Sequence, residues 1–380
     1  MMVFRIRFTS VLAACATSAI LTACGDDGLV DSQALTPRSS VVLDAFVQPG
    51  LTLVPDSGGS TQRIALGAPT EFDAGSFEMR NDTAVAASSR GAGDLLYIAS
   101  LATGTVRRVQ LPARSNPARA RLLRATDGQA LVGVPLRDNG TLALVRIGGN
   151  SFNIASIGDL GACPSDVFQY SGDVWVVDAN ASCATDYRSL GAMRLIRIPG
   201  GGGARQVIPL NGLRGSDVGV VVVGDVAYIT AGGDADFSGF PFRLLAGGAI
   251  ARVDVRTGTV LGTRTMPAGS YGASARLGLD GQLHVSLFED LTNFRGRTIS
   301  YRLPELTPTG TRMPSSDWLA LRDAAGGQVS CGSSIADGVG RLHCIQNRTG
   351  SATFLMIFAP DGSLVREVAA GQGGVDLRFR

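Results

Sequence analysis

The sequence predicts an all-β fold, a β-propeller of seven blades with four antiparallel strands each, and three observations predict it. Helical periodicity is nearly absent beyond the first two dozen residues. Short runs of β-branched and aromatic residues alternate instead with Gly, Asp, Asn and Pro. These runs pair up around Asp-Gly or Gly-Asp, dipeptides that supply the positive φ angles of tight hairpins. Examples are ARARLLRATDGQALVGV from Ala118, SDVFQYSGDVWVVD from Ser165, SDVGVVVVGDVAYIT from Ser216 and ASARLGLDGQLHVSLF from Ala273. The hairpins also open units that repeat. They start near Ser76, Ala118, Ser165, Ser216, Ala273 and Ser330, at spacings of 42 to 57 residues, the period of a four-stranded blade.

The chain begins differently. Arg5 and Arg7 precede an uncharged, apolar or small stretch from Phe8 to Ala23. This is short for a membrane span, which needs roughly 20 apolar residues, and has the order of a secretory leader. It ends in Leu21-Thr22-Ala23-Cys24, followed by Gly25, Asp26 and Asp27. LTAC resembles the lipobox of bacterial lipoproteins. The resemblance implies removal of residues 1–23 and lipidation of Cys24 with a diacylglycerol thioether and a further acyl chain such as palmitate. Each buried methylene adds about 0.8 kcal/mol of membrane affinity, so two or more chains anchor stably. It further implies a cell-envelope address, with Gly25 pointing to the outer membrane of a cell that has one. The other reading is an N-terminal helix with an ordinary thiol. Residues 24–40 carry Gly, Asp, Pro37 and Ser without apolar periodicity and are expected to form a polar tether.

From residue 41 to 380 a single domain is expected. SFEMRNDTAVAASS, DLLYIAS and TVRRVQLP make a first complete unit. In later units the third strands read TLALVRIG, MRLIRIPG, AIARVDVRTG, TISYRLPEL and TFLMIFAPDG. Six units are complete. Two pieces are left: Val41 to Gly67, with LTLV and QRIAL, and the terminal VDLRFR. Together they supply a seventh blade built from both chain ends, whose closure spares the blade faces from water. VDLRFR alternates apolar Val375, Leu377 and Phe379 with Asp376, Arg378 and Arg380, the pattern of a half-buried strand. Six blades plus an added N-terminal strand is the alternative, and a two-sheet sandwich or a β-solenoid is the reading that both displace. The TGTV turns of SLATGTVRRVQLP and DVRTGTVLGTRTMP, each followed by proline, resemble the YVTN-type and lactonase-like propellers loosely over Ser76 to Gly371. YIAS at Tyr97 and YITA at Tyr228 stand nearest to the YVTN tetrapeptide. This resemblance speaks for the fold more than for an activity.

Composition narrows the function. The chain has 34 arginines and no lysine against 32 acidic residues. Loss of Arg5 and Arg7 with the leader would bring the side-chain charge from +2 to zero, which argues against a nucleic-acid partner. Of six cysteines, Cys163, Cys183, Cys331 and Cys344 remain in the exported domain. Proximity favours Cys163–Cys183 and Cys331–Cys344 disulfides. Free thiols are the second reading, and a zinc site the third, since the spacing is wrong and only two histidines exist. Cys331 and Cys344 are expected to face each other across a turn at Asp337-Gly338.

Candidate ligand-binding residues lie where first strands should line a central channel. Asp166 and Asp217 open equivalent strands, with Arg119 as a third member. Two carboxylates there would shift each other's pKa or share a cation, while the plainer reading has each capping a turn. His284 and His343 occupy matching second strands whose other members are Trp175 and Ala227, so packing is favoured over ligation. The insertion Gly232 to Gly248 carries Asp234 and Asp236, which raise calcium as a cofactor although the later ligands of an EF-hand are missing. No other cofactor is expected. Phe237, Phe240 and Phe242 beside them suggest a contact for a partner protein. Two functions follow: a membrane-anchored, non-enzymatic binding or scaffold propeller for a protein or other macromolecule, similar in architecture to the propeller lipoprotein of the outer-membrane assembly machinery; or a lactonase-like or other hydrolase using channel carboxylates. The catalytic residues of the second remain unassigned.

Overall fold

In a computed structural model the chain forms a ring of seven four-stranded antiparallel blades. The structure describes residues 36–89, 93–125, 128–148, 151–239, 241–291, 295–309, 321–327, 329, 331–348 and 352–380. The leader, Cys24 and most of the tether lie outside the described residues, as do Phe240 and Ser330. Every regular element among the described residues is a strand.

Blade 1 closes the ring from both chain ends. Its innermost strand is the terminal Gly374–Phe379, followed outward by Ser39–Asp44, Gly50–Pro55 and Gln62–Ala65. The pairing runs from Ser40 opposite Phe379 to Leu43 opposite Asp376, and continues past the strand with Arg38 N–H donating to Arg380 O at 2.8 Å. The first strand begins at Ser39, so the domain takes in two residues assigned to the tether. Blades 2 to 7 each run inner to outer in chain order. Their inner strands are Glu78–Arg80, Arg121–Arg124, Pro164–Tyr170, Val218–Val223, Tyr271–Leu277 and Ser333–Ala336. The insertion in blade 5 is a hairpin, Asp234–Asp236 paired with Arg243–Ala246, between that blade's second and third strands.

Packing between blades follows from the strand period of two: alternate side chains of each blade face opposite neighbours. Blades 4 and 5 share one apolar layer, with Trp175 stacked on Phe168 at 5.9 Å between ring centroids and Val220 and Ile229 from the neighbouring blade. Blades 7 and 1 share another, built from Ile345, Leu355, Val42 and Leu377. Leu377 is fully buried.

Both expected disulfides are present, Cys163–Cys183 and Cys331–Cys344, with Cα atoms 5.7 and 5.4 Å apart. The second differs in detail from expectation. The turn spans Asp337 to Arg341 rather than centring on Asp337-Gly338. The register therefore places Ser334 opposite Cys344, and Cys331 lies just ahead of the inner strand. The bridge ties the strand's lead-in to its neighbour instead of two facing strand positions.

Candidate functional site

The inner strands carry an unusual load for buried positions. Charged residues occur in blades 1 to 4 and 6: Asp376 and Arg378, Glu78, Arg121, Asp166 and Arg276, with Arg119 just ahead of the blade 3 strand. Side chains two apart on a strand share a face, which is why Arg119 and Arg121 point the same way. Arg121 is the centre of one network. Its Nε and Nη2 donate to the two oxygens of Asp166 at 2.8 and 2.9 Å, its Nη1 donates to Glu78 Oε2 at 2.8 Å, and Nη2 also reaches Val220 O at 2.9 Å. Arg119 stands 3.7 Å from Asp166 and donates from Nε to Ser76 Oγ at 3.2 Å. A second network surrounds Asp376. Arg276 donates to it, Arg378 lies 3.7 Å away, and the backbone N–H groups of Phe77 and Leu377 donate at 3.1 and 2.8 Å.

Burial would raise the pKa of both Asp166 and Asp376. The arginines outweigh it: Arg121 and Arg119 hold Asp166 below the usual carboxylate range, and Arg276, Arg378 and Arg119 do the same for Asp376. The arginines respond in kind. Burial and the proximity of other guanidinium groups lower the pKa of Arg119 and Arg378, against the opposing pull of the carboxylates.

Two cavities follow the channel axis. One of about 120 Å³ is lined by Glu78, Arg121, Arg378 and apolar side chains including Val220 and Phe379. The other, of about 430 Å³, opens where the inner strands begin, and its lining includes Ser76, Arg119, Arg137, Tyr187, Asp217 and Arg276. That mouth is framed closely by backbone. Gly272 N–H donates to Gly232 O at 3.0 Å and Gly232 N–H to Asp217 O at 2.8 Å. A Cβ on Gly232 would sit 2.9 Å from Gly272 Cα, so only glycine fits there.

Of the residues the sequence singled out, Asp166, Asp217 and Arg119 all reach the channel. The expected coupling of two carboxylates is not what the geometry shows. Asp166 is paired with arginines, and Asp217 lies outside the strand, at the mouth, where its charge and that of Asp234 join burial in raising the pKa of Tyr271. Asp166 Oδ1 also accepts from Val167 N–H at 2.9 Å, the next residue of the same strand and not a turn. Asp234 and Asp236 serve separate contacts: the first accepts from Ser189 N–H at 3.3 Å and pairs with Arg188 at 3.4 Å, the second caps Ser238. Phe237 packs edge-to-face on Phe242 and on Tyr271, at 5.3 and 5.5 Å.

The histidines form two constellations alike in residue type. His284 Nε2 donates to Asp280 at 3.0 Å while Nδ1 meets Ser300 Oγ at 2.9 Å. His343 Nε2 lies 3.4 Å from Asp337 and Nδ1 2.9 Å from Ser40 Oγ. Ser, His and Asp in contact suggest a nucleophilic triad by composition. However, Ser40, His343 and Asp337 are all fully buried, and neither histidine lines the two cavities. Each histidine is a strut from its own hairpin turn: His284 ties it to the third strand of blade 6, and His343 ties it to Ser39–Asp44 of blade 1.

Arg121, Arg276, Arg378, Glu78 and Asp376 were not singled out from sequence. The signal was present: one to three charged residues interrupt SFEMR, ARARLLR, ASARL and VDLRF at the head of otherwise apolar strands.

No family model and no curated protein sequence matches the chain. Solved structures do match its shape. A protein from Lactobacillus plantarum superposes with a TM-score of 0.59 at 13% identity, covering 90% of this chain and 99% of the other. A 6-phosphogluconolactonase-like protein from Bacteroides fragilis gives 0.54 at 12%, covering 90% and 98%. A hypothetical selenium-binding protein from Sulfolobus tokodaii gives 0.54 at 8%, covering 92% and 94%. At these identities the likeness is one of fold.

Proposed function

We propose that this chain is an exported, lipid-anchored propeller that binds a partner macromolecule on its channel-mouth face and performs no hydrolysis. The observation that carries the reading is where exposed apolar side chains gather. Phe46, Leu190, Phe237, Leu245 and Phe288 are all exposed. All five lie between the second and third strands of a blade or at the end of a second strand, on the face where the inner strands begin. Ile154, Val207, Val260, Leu261 and Val365 are exposed on outer strands, but the exposed phenylalanines among the described residues are all on this face, and exposed aromatic groups gathered on one face are characteristic of a recognition surface. The insertion hairpin of blade 5 adds to that surface.

The lactonase-like alternative takes its support from the fold of the Bacteroides fragilis protein. It requires a channel carboxylate free to take or give a proton near neutral pH. Asp166 and Asp376 are instead clamped by arginines and kept ionised, which leaves Asp217 at the mouth as the carboxylate on which the hydrolase alternative rests. Anchoring rests on the LTAC sequence and Cys24.

Two experiments test the proposal. Metabolic labelling with a radioactive fatty acid should mark the wild type and not Cys24→Ser; retained label in the variant would remove the anchor. A photo-crosslinking residue placed at Leu190 or Phe237 should trap one defined partner in the envelope, whereas the same residue at Val365 on an outer strand should not. Equal trapping at all three positions, or steady turnover of simple lactones or esters by the purified protein, would refute the binding reading.

A further inference from the structure

We propose that the face opposite the channel mouth is the one that lies against the bilayer, so that the recognition face is turned away from the membrane and meets a soluble partner. This rests on the lipid-anchor reading of Cys24 and adds to it the direction in which the ring is held.

The first argument is where the chain enters the ring. Ser39–Asp44 runs antiparallel to the terminal strand, so Asp44 pairs with Gly374 at the mouth and Ser40 with Phe379 at the far end. The residue ahead of it is fixed at that end too. Arg38 N–H donates to Arg380 O at 2.8 Å, and Arg38 O accepts from Asp56 N–H at 3.2 Å. Pro37 is buried and Thr36 is exposed. Ser39–Asp44 is the second strand from the axis, so the chain arrives within the far face and not at its outer edge.

The second argument is length. Twelve peptide units separate Cys24 from Thr36. They span at most about 40 Å when fully extended, and a flexible chain of that length has an end-to-end distance of about 20 Å. With the far face down, such a tether need not stretch. With the mouth down, it must pass the two outer strands of blade 1, about 10 Å, and then the height of a six-residue strand, about 20 Å, before the mouth loops are counted. That uses most of its reach and most of its conformational freedom.

The third argument is the surface. The far face is built of tight turns, among them 56–57, 171–172 and 224–225. Val339 is the one large apolar side chain exposed on the turns of this face among the described residues. Such a face rests on headgroups without inserting, and the acyl chains do the anchoring. Phe46, Leu190, Phe237 and Phe288 are exposed on the mouth face instead. Lying on a bilayer, they would sink into its interface and be lost to a partner. Held away from it, they stay open to one.

The test uses the lipidated protein, purified and reconstituted into vesicles of phosphatidylcholine and phosphatidylglycerol that carry a nitroxide on the headgroup. Cys163, Cys183, Cys331 and Cys344 are bridged, so a cysteine added at one position can be labelled there with a fluorophore. Gly201→Cys marks the far face, where a side chain meets open space. Leu190→Cys marks the mouth, and Val365→Cys an outer strand. The label at position 201 should lose most of its fluorescence on reconstitution, and the other two should lose little. Equal or greater loss at position 190 or 365, or no loss at 201, would overturn the orientation. Flotation of the unlabelled protein separates that failure from failure of the anchor. Wild type should float with the vesicles and Cys24→Ser should not; a wild type that stays behind would remove the anchor and the orientation with it.

Discussion

Arg121 holds Asp166 and Glu78 at once, all three buried in the channel wall. Removing one member of a buried ion set strands the others, which costs more than the set contributes when intact. Arg121→Met is therefore expected to destabilise the protein by about 3–5 kcal/mol in denaturant unfolding; a loss below about 1 kcal/mol would show that the carboxylates re-pair or are hydrated. Asp44 presents the opposite electrostatic case. Burial outweighs the hydrogen bonds from Arg63 and Thr52 and pushes its pKa up to about 6. The native state then keeps this proton, while the unfolded chain loses it near 3.8. Between those values the native state binds more protons, so this group's contribution to stability falls as pH rises from about 4 to about 6. Asp44→Asn should abolish that slope, a difference of up to about 3 kcal/mol across the window. Melting curves of both proteins from pH 4 to 6.5 read it directly, and parallel curves would show that Asp44 titrates normally. The carboxylates of Asp166, Asp337 and Asp376, held low, act in the other direction: their contribution is present above the unfolded carboxylate value and is lost only as pH falls below it.

At the scale of elements, each disulfide secures the entry to an inner strand. Cys163 directly precedes Pro164–Tyr170 and is bridged to Cys183 in a loop on the channel-mouth face. Cys331 precedes Ser333–Ala336 and is bridged to the neighbouring strand Leu342–Asn347. A sequence separation of 13 closes a loop that the chain-entropy model values at about 3 kcal/mol. The double variant Cys331→Ser, Cys344→Ser should accordingly melt about 5 °C or more below wild type under oxidising conditions, and addition of reductant should lower the wild type further than the variant. Unchanged melting would mean that the bridge relieves nothing that the blade does not already constrain. The blade 5 hairpin illustrates what an insertion can do without disturbing this framework. It leaves between two strands whose pairing continues from Ala231 to Ala249 beneath it, and rests Phe237 on Tyr271 of the next blade.

For the whole molecule the decisive contact is the closing blade. Gly374–Phe379 is an inner strand, paired with Ser39–Asp44 on one side and packed through Leu377 against blade 7. It also brings Asp376 to Arg276 and carries Arg380 to Asp82 of blade 2. Deleting Gly374 to Arg380 removes a strand, opens the ring and leaves Arg276 without its carboxylate. A loss of several kcal/mol or more is expected, measured by thermal unfolding of the full chain with and without those residues. Equal melting temperatures would show that the ring closes without its terminal strand.

The β-strand repeat, the contribution of both chain ends to one blade and the pairing of nearby cysteines were readable in the sequence, because each depends on local pattern: alternation with a period of two, turn dipeptides, and short separations along the chain. VDLRFR was recognisable as a strand for that reason. Its polar face was read as the exposed side of a half-buried strand, yet Asp376 is fully buried against Arg276, 100 residues earlier in the chain. Likewise Asp166 and Asp217 opened similar strands, but one is enclosed by arginines and the other stands at the rim. Alternation says which residues share a face and not what that face meets. Only ring closure brings the inner strands of separate blades to one axis, and there the tertiary structure decides which charges are paired and where a cavity lies.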